Sequence, residues 1–384
     1  MPVRETTRGS RKTDLGGRYD LVICGASFAG LAVARQVADS DGEILMIDRY
    51  EVGERQTSAC AIPTCWLEAL DLLEAEAQRF EELVVHTPHR SVSIPLPWDF
   101  STFDYPALCG LMWERSGIRF ETAKVDGRTP GEEEGLITVE TDRGELRAPL
   151  VVDALGWRRI LDPGMAVTPP GAPLSRALEV HPRGSSKDLE VWIEREYVPA
   201  GYGWSFPAGD EVRVGVGSFD PEYHVRKPTE ALAGDLGVEA EAWQGNWIPH
   251  RLREATADGV FFAGDSAGHC YPLTAEGIRP AFYFGLALGA LLADVLAGRS
   301  TRERALADYG RFSRSHELRY DGLLTAQRTL PRIPPRLLPS ALGSLTDERL
   351  ASRAFARYLD LAPPGFVRAI GRPATAGRAL ARAA

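Results

Sequence analysis

The stretch Tyr19-Asp-Leu-Val-Ile-Cys-Gly-Ala-Ser-Phe-Ala-Gly30 decides how the rest of the chain is read. Leu21 to Cys24 is a short apolar run stopped by Gly25, the pattern of a strand buried on both faces. A helix is expected over about 28–38, turning Leu31, Val33, Ala34 and Val37 toward a sheet. A second apolar run, Glu43-Ile-Leu-Met-Ile-Asp48, ends on a carboxylate 18 residues after Gly30. Strand, glycine turn, helix and strand within about 30 residues form one βαβ unit, and the free N–H groups at the helix start suit a phosphate. Ser27 stands where G-x-G-x-x-G has its middle glycine; serine is small and also donates a hydroxyl hydrogen bond. Gly25, Ser27, Ala29 and Gly30 are therefore candidate cofactor-binding positions. Asp48 would accept from ribose hydroxyls and repel a 2′-phosphate, which favours FAD or NAD over NADP.

Two later segments complete the pattern. Val151-Val-Asp-Ala-Leu-Gly156 is another strand ending on a carboxylate, and Asp153 is expected to support its own loop. Phe261-Phe-Ala-Gly-Asp-Ser266 places Gly264 and Asp265 beyond a strand's carboxyl end, where open α/β sheets bind ligands. Pro272-Leu-Thr-Ala-Glu-Gly-Ile278 follows and opens a long helix. In this order the three segments read as an FAD site. Asp265 would hold the ribityl hydroxyls, and the dipole at Gly277 and Ile278 would face the flavin ring. No second glycine-rich βαβ unit is visible, so a nicotinamide donor has no Rossmann domain of its own.

The fold class is α/β: a Rossmann-type FAD-binding domain with an inserted antiparallel sheet and C-terminal helices. The FAD-binding domain is expected over 19–80, 106–175 and 256–300, and the substrate sheet over 81–105 and 176–255. A polar, disordered lead-in is expected over 1–18 and a helical region over 301–384. Leu67 to Leu83, rich in Leu, Ala and Glu, reads as a helix. Period-two alternation at Leu189, Val191 and Ile193, and at Val212, Val214 and Val216, reads as antiparallel strands.

With 384 residues, 44% of them hydrophobic, the chain can bury a large core. A net charge of −9 argues against nucleic acid as a general partner. From residue 311 onward, 13 Arg, no Lys and 5 acidic residues give a basic tail. Those arginines either solvate outer helix faces or touch anionic lipid or an acidic partner. Five cysteines without a CxxC pair point to reduced thiols, as in a cytoplasmic protein, and not to zinc. The apolar stretch 281–293 reads as too short to span a bilayer.

Tyr202-Gly-Trp-Ser-Phe-Pro207 resembles the Y-x-W-x-F-P signature of the geranylgeranyl reductase family, which includes the digeranylgeranylglycerophospholipid reductases. These belong to the FAD enzymes built like para-hydroxybenzoate hydroxylase. Pro272–Ile278 is similar to the family's P-L-T-G-E-G-I, with Ala275 in place of glycine. Ser58-Ala-Cys-Ala-Ile-Pro63 looks like its cysteine–glycine segment beside the isoalloxazine ring, with Ala61 where glycine is expected. The family's Arg before its F-D-x-x-L helix is missing near Phe103-Asp-Tyr-Pro-Ala-Leu108, which leaves Arg49 as the candidate phosphate contact. Val125 falls where the family's backbone meets the adenine.

The resemblance implies hydride transfer from flavin N5 to C=C bonds of an isoprenoid or similarly apolar lipid. It also implies an external electron donor, NAD(P)H or ferredoxin, and leaves peripheral membrane contact open. Tyr202, Trp204 and Phe206 would wall the substrate tunnel. Cys60 is the candidate proton relay or positioning group, against a reading as a small core residue. His269 and Tyr271 are placed to reach the ring or to face solvent, Glu276 to orient its loop and Arg279 to lie near the pocket. Two rivals share the cofactor cradle: an aromatic monooxygenase, and an electron carrier to a membrane quinone. Halogenases of this fold need a lysine in the first domain, and none occurs between Lys12 and Lys124.

Overall fold

Residues 13–370, apart from 57, 132, 134, 163, 165–168 and 170, together with residue 380, are described by a computed structural model. Expectations for residues 1–12 and most of the Arg/Ala-rich end lie outside the described residues.

The βαβ unit forms as expected: Leu21–Cys24, helix Phe28–Val37, then Ile44–Asp48 parallel to the first strand. It lies within a six-stranded sheet in the order Thr256–Ala257, Val260–Phe262, Leu150–Asp153, Leu21–Cys24, Ile44–Asp48, Arg119–Thr122. Only the edge strand Thr256–Ala257 runs antiparallel. Helix Ile278–Leu296 packs against Phe28–Val37 through glycines. A Cβ at Gly285 would stand 2.7 Å from the Ala29 carbonyl oxygen, and one at Gly289 would stand 2.6 Å from Gln36 Cβ. This helix has 19 residues, longer than the expected 281–293 run, and by length and composition it could cross a membrane. It is a core helix instead: Ile278 to Leu292 are buried throughout.

A second sheet has eight strands: Gln244–Pro249, Leu174–Val180, Glu211–Ser218, Gly201–Ala208, Leu189–Trp192, Glu76–Thr87, Arg90–Phe103 and Ala61–Pro63. Two expectations change here. The helix begun at Thr64 stops at Leu70, where Asp71 takes the left-handed conformation, and Glu76–Thr87 is a strand. Its Glu/Ala-rich sequence favours helix, but hairpin pairing with Arg90–Phe103 buries Phe80 and Val85, and tertiary contact wins. Leu189–Trp192 runs parallel to Leu83–His86, so the sheet is mixed and not purely antiparallel.

Residues 13–18, expected in the polar lead-in, are packed. Leu15 is buried, and Gly17–Arg18 joins a four-stranded sheet beside Gly144–Ala148. Arg143 Nε donates to the Thr13 carbonyl at 2.9 Å, which ties this segment down.

The C-terminal helices are equally fixed. Glu348–Leu359 lies on the eight-stranded sheet, with Ala351 packed among Val85, Val92 and Ile94. Trp66 Nε1 donates to the Ala362 carbonyl at 3.1 Å. Buried Arg279 forms a double hydrogen bond with Glu276, at 2.7 and 2.8 Å, and donates to the carbonyls of Tyr358 and Leu359. Most tail arginines (Arg336, Arg349 and Arg353 among them) are exposed on outer faces.

Arg279→Met would leave the Glu276 carboxylate without its cation, with only the Tyr358 hydroxyl donating to it, and free those carbonyls. A loss of roughly 3–5 kcal/mol in urea unfolding is expected, with faster proteolysis beyond residue 330. Arg311→Met, on an exposed helix face, is the control and should stay within about 0.5 kcal/mol of wild type. An unchanged midpoint for Arg279→Met would show that this clip does not hold the C-terminal helices.

Candidate functional site

One cavity of about 1270 Å³ runs between the two large sheets and under the C-terminal helices. A site for a single small ligand typically measures ~300–1,000 Å³, so this one has room for a cofactor and a second molecule.

The polar end of the cavity is built by close backbone approaches. Gly25 has φ +112°, and a Cβ there would stand 2.3 Å from the Ala154 carbonyl oxygen. A Cβ at Gly30 would meet the Gly25 carbonyl at 1.9 Å. Neither glycine lines the cavity; they bring the Ala26–Ala29 backbone to its wall. Ser27 precedes the first helical residue with no side-chain cap, and its Oγ accepts from Tyr105 Oη at 3.1 Å. Asp48 Oδ2 accepts from Ala26 N at 2.9 Å and Oδ1 from Tyr50 N at 3.1 Å. Burial pushes the Asp48 carboxyl up, and these N–H groups pull it back. Arg49 lies over the Tyr50 ring on the same wall.

Asp265 sits just beyond the strand Val260–Phe262, with Gly264 at φ +63° approaching Ala29. Among the described residues no group hydrogen-bonds its carboxylate. Burial pushes this carboxyl up to about 6, opposed by the charge of Arg253. Gly277 and Ile278, at the uncapped start of the long helix, line the cavity beside it. Asp153 does not; it accepts from Leu155 N, Leu161 N and Ser266 Oγ, the supporting role expected of it.

In the middle of the cavity Cys60 has φ +53° and is fully buried. Its thiol donates to the Ser58 carbonyl at 3.2 Å. Burial keeps its pKa well above the usual thiol value, so it stays protonated at neutral pH. Arg213 Nη1 holds the Ala59 carbonyl at 2.9 Å and thereby fixes this turn. Cys24, Cys65 and Cys109 stand away from the cavity, whereas Cys270 lines it.

The expected cofactor and substrate positions other than Gly25 and Gly30 meet on this wall: Ser27, Ala29, Asp48, Arg49, Cys60 and Ala61, then Val125, Tyr202, Trp204 and Phe206, and finally Gly264, Asp265, Gly277 and Ile278. His269 and Tyr271 do neither of the things expected of them. His269 is buried, stacked 3.7 Å from Phe284 and 3.1 Å from Ser313 Oγ. Tyr271 packs against Tyr320 and Tyr358. The short Gly264–Ala267 helix, closed by Gly268 at φ +66°, turns the chain inward there.

The far end is apolar and was not foreseen in full. Leu83, Val85 and Val191 form its floor, and Ile333, Leu342 and Phe355 its roof. Trp98 stands edge-on to Phe355, and its buried Nε1 has no partner among the described residues. Glu179, also unforeseen, lines the cavity and accepts from Trp204 Nε1 at 3.1 Å. The signal for it was a carboxylate between Leu178 and Val180 in the strand Leu174–Val180. Among the described residues no cluster could hold a metal ion.

No protein-family model matches the chain. The digeranylgeranylglycerophospholipid reductase of Methanocaldococcus jannaschii is 30% identical over 146 residues, 36% of this chain and 37% of that protein. The chain thus matches little more than a third of that relative's length. Digeranylgeranylglycerophospholipid reductase 3 of Methanosphaera stadtmanae aligns more widely, at 22% identity over 77% of this chain and 83% of its own. Among solved structures, a geranylgeranyl bacteriochlorophyll reductase-like protein from Thermoplasma acidophilum superposes with TM-score 0.74 at 14% identity, covering 95% of both chains. PqsL, a probable FAD-dependent monooxygenase from Pseudomonas aeruginosa, gives 0.64 at 18% identity over 88% of this chain and 100% of its own. Halogenase PltM, in complex with phloroglucinol and FAD, gives 0.69 at 12% identity over 95% and 85%. At such identities the structural likeness establishes the fold. The chain has the fold of FAD-dependent oxidoreductases and monooxygenases, and in sequence it is a relative of the geranylgeranyl reductase family.

Proposed function

We propose that the protein is an FAD-dependent oxidoreductase that saturates carbon–carbon double bonds of an isoprenoid or similarly apolar lipid. The observation that carries this reading is the shape of the cavity. A polar end cut for a dinucleotide opens directly into an apolar chamber walled by Val85, Val191, Trp204 and Phe355. The names of the aligned relatives point the same way.

The residues present fit FAD. The glycine turn brings backbone N–H groups and Ser27 to the wall for a pyrophosphate. Asp48 and Val125 would take the adenosine, and Arg49 would meet a phosphate. The unpartnered Asp265 carboxylate would accept from ribityl hydroxyls, and the helix start at Gly277–Ile278 would face the ring. When bound there, FAD supplies two-electron hydride chemistry at the point where the polar and apolar ends meet. The protein's own part is to align the alkene between Tyr202, Trp204 and Phe206 and to exclude water from it. Cys60, kept as a thiol, would shape the turn beside the ring. An external donor, NAD(P)H or ferredoxin, would supply the electrons.

The direct test is anaerobic incubation of the dithionite-reduced protein with prenyl lipids, read by mass spectrometry. A gain of two hydrogens per reduced bond is expected; oxygen insertion on admitting air, with no saturation, would establish the monooxygenase instead. Phe355→Ser, in the roof, should raise KM for long prenyl chains about tenfold, the equivalent of ~1.4 kcal/mol, while FAD affinity holds. A parallel fall in FAD affinity would mean that the two ends are not separate.

Asp265 gives a pH test. Its carboxyl titrates at about 6 in the fold but near ~3.9 when unfolded, so the folded state holds an extra proton between these values. Stability of the FAD-free protein therefore falls as pH rises through that window, and the loss is complete above it. Asp265→Asn should stabilise the FAD-free protein at pH 7 by on the order of 2 kcal/mol, allowing for solvent contact through the cavity, with the gain vanishing near pH 4. FAD titration should meanwhile show weaker binding. Equal urea midpoints for both proteins at pH 7 would contradict the orphan carboxylate.

A further inference from the structure

We propose that Glu179 is the proton donor for double-bond saturation, recharged from solvent through His181 and Glu211. This rests on the reductase reading above and adds the acid that such a reaction needs.

Glu179 is 4% exposed, yet it stands on the cavity wall. Both of its carboxylate oxygens are engaged. Oε2 accepts from Trp204 Nε1 at 3.1 Å, and Oε1 lies 3.0 Å from His181 Nε2. The other ring nitrogen, His181 Nδ1, has Gln244 Nε2 at 3.5 Å and, beyond hydrogen-bond length at 3.8 Å, Glu211 Oε1, whose side chain is 31% exposed. Glu179 and His181 thus form a hydrogen-bonded pair at the cavity wall, and Glu211 stands one short gap away on the solvent side. Arg213 pairs with Glu211 at 2.7 Å and also holds the carbonyls of Ala59 and Phe103. The relay is therefore tied to the backbone that carries Cys60.

The local sequence is cut to allow this line. Glu179 and Trp204 lie on strands either side of Glu211–Ser218, both in register with Gly215. A Cβ at Gly215 would stand 2.2 Å from the Trp204 ring and 2.7 Å from Glu179 Cβ. Only with glycine there can the indole lie across the middle strand and reach the carboxylate. An ordinary apolar sheet face would need neither the glycine nor the buried acid. Burial of an unpaired carboxylate is expensive, so the His181 partner accounts for its being tolerated.

Saturation of one C=C bond adds a hydride to one carbon and a proton to the other. The hydride would come from reduced FAD, which the external donor, NAD(P)H or ferredoxin, would recharge. The proton leaves a Glu179 oxygen as its O–H bond breaks and the new C–H bond forms. The Glu179–His181 hydrogen bond is the path by which a proton on His181 Nε2 would reach the Glu179 carboxylate. After transfer His181 is left neutral beside a carboxylate, and solvent at Glu211 returns the proton. Cys60 is the competing donor in the same cavity. Its buried thiol is held far from ionisation and donates to the Ser58 carbonyl, so it parts with a proton less readily.

The groups surrounding the pair are Glu211 and Arg213 on one neighbouring strand, Gln244 on the other, Trp204 and Tyr202 beyond, Arg176 on its own strand, and Cys60. Glu179→Gln keeps the volume and an acceptor for Trp204 but has no proton to give. Dithionite-reduced holoprotein is mixed anaerobically with a prenyl alkene, and flavin reoxidation and product mass are followed. At pH 7 the variant should react 10²–10⁴-fold more slowly, with FAD affinity and visible spectrum unchanged. Glu179→Asp should recover part of the rate. Wild type should show a solvent deuterium isotope effect on reoxidation and a rate that falls at high pH; the Gln variant should lose both. In the FAD-free protein at fixed pH, the His181 ring-nitrogen shifts in the ¹⁵N-histidine spectrum should differ between Glu179→Gln and wild type. A Gln variant within threefold of a wild type that does saturate the alkene sinks the relay alone, as do unmoved His181 shifts. A wild type that leaves every prenyl alkene intact sinks the reductase reading and the relay with it.

Discussion

Parallel strands that all end on one side force their loops into one crevice, and each polar group there must find a partner. Carboxylates stand at or just beyond three of these strand ends. Asp48 is spent on Ala26 N and Tyr50 N, and Asp153 on Leu155 N, Leu161 N and Ser266 Oγ. Those bonds fix the loops so closely that Gly25 has no room for a side chain beside Ala154. Asp265 alone faces the crevice with its acceptor capacity unused. The fold therefore both shapes the groove and leaves within it one acidic group whose burial a hydroxyl-bearing ligand would relieve.

The second sheet solves a different problem. This mixed sheet is apolar on both faces, and each must be covered. On one, Val180, Val212, Val214 and Val216 pack with Leu232 and Ala233 of the helix Arg226–Asp235. On the other, Ala351 of Glu348–Leu359 packs among Val85, Val92 and Ile94, with Leu83, Leu342 and Phe355 against the same cluster, and the apolar end of the cavity opens beside it toward Val191. The C-terminal helices thus serve as core and as roof, which explains why Arg279 and Trp66 fasten them at several carbonyls.

The turns and strand ends at the polar end of the cavity were legible because their logic is local. Gly25 to Gly30, Asp48 and Asp265 are each specified by a strand end, a turn or a helix start within a few residues. What failed was decided by distant partners. Glu76 to Leu83 carries helix-favouring residues, yet pairing with Arg90–Phe103 makes it a strand. Leu15 was hidden in a polar segment because its partner lies near Arg143. Phe355 and Leu342 sit in amphipathic helices whose apolar faces could have met anything. His269 and Tyr271 were misplaced because the sharp turn at Gly268 sends both side chains into the helical layer.

Where the two ends of the cavity meet, the backbone is held in unfavourable geometry. Cys60, Leu273 and Ala275 have φ of +53°, +70° and +50°, and all three line the cavity. Each left-handed residue with a Cβ costs ~1–2 kcal/mol, so the neighbours must over-determine these turns. They do so from three directions. Arg213 holds the carbonyl of Ala59, Gln327 Oε1 accepts from Leu273 N at 2.8 Å, and Tyr202 Oη donates to the Thr274 carbonyl. Thr274 Oγ1 and Tyr358 Oη share a further bond at 2.8 Å, and Tyr358 also donates to Glu276. The eight-stranded sheet and the C-terminal helices therefore converge on the loop that starts the long helix. Substituting glycine at Ala275 would relax the turn, but the same glycine would loosen a segment that these contacts hold in one position. Rigidity at this junction sets the distance between whatever occupies the polar end and whatever occupies the apolar end.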